Sequence, residues 1–162
     1  MASRLTRKLI DEDLIGLVIC ITPSLIVCED FRAELEIQLG NKLDGKLGSI
    51  GRTLTYHAML NENYIWDLFE DYKVFVIFDE IHHCAGNELK NSNAWGQKII
   101  SKIQGRATYT LALTGTPWRS DNIPISLGRY LEDGLVHCDY SYGLTQAIKD
   151  KVCRTPSITL FD

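Results

Sequence analysis

Three short apolar runs set the limits on how this chain can fold. Residues 17–21 (Leu-Val-Ile-Cys-Ile), 73–78 (Lys-Val-Phe-Val-Ile-Phe) and 109–113 (Tyr-Thr-Leu-Ala-Leu) are continuous rather than alternating, and they break off at Thr22-Pro23, Asp79-Glu80 and Thr114-Gly115. A strand wetted on one side alternates apolar and polar residues. An unbroken run needs cover on both faces, which is the situation of strands in a parallel sheet.

The stretches between the runs read as the covering helices. Residues 1–14 place Leu5, Leu9 and Ile10 on one side of an amphipathic helix. Ser24 caps a second helix, with Leu25, Cys28, Phe31 and Leu35 at the spacing of a buried stripe and Gly40-Asn41 as its stop. Residues 45–51 read as loop or short strand, 53–56 as strand, 60–72 and 94–103 as helix, 144–152 as helix, and 158–161 as a last strand. Strands alternating with helices predict an α/β fold, a three-layer parallel sheet with helices on both faces. With 162 residues and 45% hydrophobic content there is material for one core, so residues 1–162 read as a single domain.

The formal charge of -4 argues against a protein that coats nucleic acid through bulk electrostatics, so any such contact must be local. Five cysteines with no C-x-x-C pair suit a reducing, cytoplasmic setting. Residues 1–10 make no uninterrupted apolar stretch, so they predict neither signal peptide nor membrane span.

The chemistry concentrates at the ends of the runs. Val74-Phe75-Val76-Ile77-Phe78 delivers Asp79, Glu80 and His82 to the carboxyl end of a buried strand, where ligands bind in open α/β sheets. One carboxylate there can hold Mg²⁺ through its water shell, and a second can orient or deprotonate a water. An acidic pair after a strand is also what a solvated turn looks like. The second motif, Leu113-Thr114-Gly115-Thr116-Pro117-Trp118-Arg119, follows after roughly one helical crossover, and a plain Gly-Pro turn does not account for its two threonines.

In order, Val18 to Ser24, Thr55-Tyr56-His57, the Asp-Glu-x-His box and the Thr-Gly-Thr-Pro motif resemble the first motor domain of superfamily 2 helicases and translocases of the DEAD/DEAH-box type. The nearest likeness is to repair helicases and restriction-enzyme motor subunits, with His57 standing where relatives carry glutamine. The resemblance spans about two thirds of the chain and implies a RecA-like fold, ATP and Mg²⁺ as cofactors, and movement on DNA or RNA. It further implies that Asp79 holds Mg²⁺, that Glu80 polarises the attacking water, and that His82 links nucleotide state to a second RecA-like domain. Thr114 and Thr116 would couple hydrolysis to strand movement, while Thr22, Pro23, Ser24, Thr55 and Tyr56 would meet the phosphate backbone.

Two parts of such a motor are missing. No glycine-rich phosphate loop precedes residue 17, so the domain reads as lacking the Walker A strand and loop and as inactive alone. Gly40 to Lys46 has the loop's spacing, but Leu47 stands in place of the Mg²⁺-binding hydroxyl and no strand precedes it. The second RecA-like domain is absent too. Removing a strand from the middle of the expected sheet predicts an exposed edge and self-association. The pairs His83-Cys84 and His137-Cys138 lack the spacing of a closed zinc site, and Trp66, Trp95, Trp118, Tyr140 and Tyr142 read as packing before stacking. The rival expectation is a non-hydrolysing helicase-like module that binds nucleic acid or a partner motor protein.

Overall fold

The computed structural model describes residues 1–154. The order is α1 (Ala2–Asp11), β1 (Leu17–Thr22), α2 (Leu25–Leu39), β2 (Gly51–Thr55), α3 (Tyr56–Asn61), α4 (Leu68–Asp71), β3 (Val74–Phe78), α5 (Ala94–Lys102), β4 (Tyr109–Ala112) and α6 (Leu144–Lys149). The strand predicted at residues 158–161 lies outside the described residues.

The sheet has four strands in the order β2-β1-β3-β4, every pair parallel. Ile21 pairs with Phe78 and Phe78 with Ala112, while Thr22 pairs with Thr55, so all four carboxyl ends reach one rim. Helices flank the sheet. Val18, Cys20, Phe75 and Ile77 pack with Leu35 and Leu39 of α2 and Ala2 of α1. Successive strand residues face opposite ways, so Ile19, Ile21, Val76 and Phe78 point to the other side, and all four are buried.

Three expectations change in detail. The stripe on α2 is Cys28, Phe31, Leu35 and Leu39, with Phe31 partly buried against the core, whereas Leu25 is 73% exposed. The predicted helix over 60–72 is broken, and Tyr56 opens a helix instead of closing a strand, since the Thr55 hydroxyl accepts from the Ala58 amide at 3.1 Å. The break has a tertiary cause. A continuing helix would need the Leu60 and Glu62 carbonyls, yet Lys98 Nζ donates to both, at 3.1 and 2.9 Å, and Trp66 Nε1 donates to Glu62 at 2.7 Å.

The third concerns the sheet. β1 and β3 pair directly, so the sheet has no gap in its middle, and the exposed edge that was expected is β4. Tyr109, Thr110 and Ala112 are exposed, whereas the opposite edge is covered by the turn before β2, where Asp44 bridges Arg52 and the Thr53 amide donates to Leu43.

The chain divides into two compact units, residues 1–129 and 130–162, where composition alone reads as one domain. The first holds the whole sheet. In the second, no described residue is buried, and the described residues form α6 and a Tyr130–Val136 bridge. No helix among the described residues is long and apolar enough to cross a membrane.

Candidate functional site

At the rim, β3 hands over to a turn that the sequence could only outline. The Asp79 amide still donates to Ile21 at 2.9 Å, continuing the sheet by one bond. Glu80 then adopts a left-handed backbone, φ 54° and ψ 50°, before a short 3₁₀ turn over Ile81–His83. A non-glycine residue in that region carries strain that its surroundings must offset. Here they do so through the Ile81 amide, which donates to Leu113 at 3.0 Å, and the Tyr56 hydroxyl, which donates to the Asp79 carbonyl at 2.9 Å.

The two carboxylates live differently. Glu80 is gripped: His82 Nδ1 lies 3.1 Å from Oε2, and the Thr114 hydroxyl and Gly115 amide each donate to it at 3.4 Å. Thr114 Oγ1 also sits 2.8 Å from His82 Nδ1 and accepts from the Thr116 amide at 3.0 Å. One proton arrangement satisfies every contact, with the proton on His82 Nδ1 and the Thr114 hydroxyl donating to Glu80. Asp79, by contrast, is half-buried, and no donor among the described residues reaches its carboxylate. Burial, and then the neighbouring Glu80 charge, hold its pKa above the usual carboxylate value.

The loop carrying the threonines is pinned twice. Beyond Thr114, the Arg119 guanidinium donates to the His82 carbonyl and pairs in bidentate fashion with Asp121, leaving Trp118 66% exposed on the bow between the grips. Arg119 belongs to the second motif, where no role is expected of it; its spacing of two residues from Asp121 is the signal in the sequence for this pair. His83 titrates below the ordinary imidazole value, mainly through burial and then through His82 beside it.

The other predicted residues share the rim but not its surface. Thr22 is fully buried, its hydroxyl donating to the Ser24 carbonyl at 3.2 Å and to Leu54 at 3.4 Å; Tyr56 is equally buried. Neither side chain can touch a ligand arriving from solvent, because both sit in the seam where β1 and α3 close on the core. What the rim presents there is Pro23, Ser24 as the α2 cap, Thr55 as the α3 cap, and His57, whose ring meets Trp95 edge-on at 5.2 Å. Gly40 to Lys46 is a helix stop and a turn: Gly40 is left-handed at the end of α2, and the Arg52 side chain crosses Gly45.

Oxygen donors suit a hard cation, and Asp79 is free to offer them. Among the described residues no three His, Cys, Asp or Glu side chains converge to hold a metal, so a cation at Asp79 would draw most of its ligands from water and phosphate.

No family model matches the chain. It is 43% identical over 89 residues to an uncharacterized protein of Mycobacterium leprae, a stretch that covers 52% of this chain and 14% of that protein. Two uncharacterized proteins of Mycobacterium tuberculosis strains, CDC 1551 / Oshkosh and H37Rv, match at 44% over 86 residues, covering 51% of this chain and 13% of theirs. The matched stretch thus spans about one seventh of these relatives.

Proposed function

We propose that this chain is part of an ATP-dependent helicase or translocase acting on DNA or RNA in the cytoplasm, and that it forms most of the first of two RecA-like motor domains. The observation that carries this is the common rim: parallel strands end together at Thr22, Thr55, Phe78 and Ala112, and the loop after β4 grips Glu80, just beyond β3. In this reading the unpartnered Asp79 carboxylate holds Mg²⁺ through its water shell. Glu80, fixed by His82, Thr114 and Gly115, orients the water, and His82 passes its position to the second motor domain. Thr114 and Thr116 couple the site to the tracked strand, whose phosphates meet Pro23, Ser24 and Thr55. Mg²⁺ with ATP would supply charge neutralisation at the transferred phosphoryl group.

The phosphates themselves have no cradle among the described residues, so hydrolysis is expected only from a longer chain. The decisive measurement is ATP turnover, with and without single-stranded DNA, by this chain and by one extended upstream. The extended protein should hydrolyse ATP and be stimulated by DNA, and Glu80→Gln should slow it about 100-fold or more. Turnover unaffected by Glu80→Gln would end the motor assignment. The lack of a phosphate cradle favours one rival, a module that binds nucleic acid without turnover; strand binding by both chains with no hydrolysis by either would select it.

A further inference from the structure

We propose that Tyr56 is a positioning residue for the acidic box: its hydroxyl holds the Asp79–Glu80 peptide so that the Asp79 carboxylate is presented to a divalent cation at the sheet rim. This rests on the reading of Asp79 as the cation-holding group. Tyr56 begins α3 directly after the Thr55 cap and is fully buried, yet its hydroxyl reaches across from the β2 end of the rim to the Asp79 carbonyl at 2.9 Å. That carbonyl belongs to the peptide that enters the left-handed Glu80, the most strained point of the turn.

A bond at this place opposes rotation of the peptide plane, and rotation would swing both carboxylates. The ring is itself held, packed at 5.4 Å and a 31° tilt against Trp95 of α5, which also meets His57 and, edge-on at 6.4 Å, His83. Burial keeps the phenol protonated far beyond its usual range, so the hydroxyl is a donor at every working pH. The path from Thr55 and His57, on the open rim, to Asp79 is therefore one ring and one hydrogen bond long. A ligand that shifts the start of α3 would shift the acidic turn with it.

The test uses Mn²⁺ alone as probe, titrated into the ¹⁵N-labelled chain while amide broadening around residues 79–80 is followed. The wild-type chain should show local, saturable broadening that Asp79→Asn abolishes. Tyr56→Phe keeps the ring and removes the donor, and should weaken Mn²⁺ affinity about fivefold, the worth of one hydrogen bond, with the remaining spectrum native. A merely structural role would lower the unfolding midpoint and leave the affinity of the folded protein unchanged. If Tyr56→Phe binds Mn²⁺ as the wild type does, the positioning role is overturned while the Asp79 reading stands; if the wild type shows no broadening near 79–80, both fall. Should Tyr56→Phe not fold, Trp95→Phe loosens the same ring, and wild-type Mn²⁺ affinity in that variant would overturn the proposal equally.

Discussion

Two adjacent carboxylates on one turn have been given opposite surroundings. Glu80 is surrounded by donors and fixed, whereas Asp79 is half-buried without one, an arrangement that costs stability and makes sense for a group whose partner comes from outside. Because the folded-state pKa of Asp79 lies above the unfolded value, the folded protein holds that proton more tightly. Its contribution to stability therefore falls as pH rises through the window between the two values and stays low at neutral pH. Asp79→Asn should accordingly stabilise the chain at pH 7, read as a higher urea midpoint, and the gain should disappear near the ordinary carboxylate pKa. An Asn variant less stable than wild type at pH 7 would mean that Asp79 has a stabilising partner in the folded chain.

At the level of elements, the unusual member is β4. Strands of a parallel sheet are ordinarily covered on both faces, but Tyr109, Thr110 and Ala112 are open to solvent, and residues 109–112 include no charge or proline to discourage pairing. Just past the strand, Leu113 joins Met1, Ala2, Phe31 and Leu35 in lining a groove whose walls also carry Ser3, Asp30 and Glu34. With that edge open, the chain is expected to self-associate as concentration rises. Light scattering should report masses above the 18.4 kDa monomer, and Thr110→Lys, which places a charge on the edge, should restore the monomer. A wild-type chain that stays monomeric at high concentration would show that the edge is protected. The broken helix after α3 teaches a related lesson. Lys98, more than thirty residues along the chain, takes the carbonyls of Leu60 and Glu62 that the helix needed, and Trp66, four residues on, shares the second.

For the molecule as a whole, residues 1–129 contain every strand and every buried side chain among the described residues, and residues 130–154 contain none. A chain ending at Arg129 should keep its cooperative unfolding, with a melting temperature within a few degrees of the full chain, since no described residue beyond Arg129 is buried. A large drop would mean that the second unit supports the first. Sequence by itself determined the parallel α/β class, the β1, β3 and β4 runs and the residues that end them, because burial on both faces writes a continuous apolar run and its end is chemically abrupt. It also determined the caps at Ser24 and Gly40, which are local. Only the tertiary structure decided that Thr22 and Tyr56 face inward, that Glu80 is gripped while Asp79 is left open, and which strand forms the uncovered edge. Those outcomes depend on side chains dozens of residues apart meeting in space, which no local periodicity encodes.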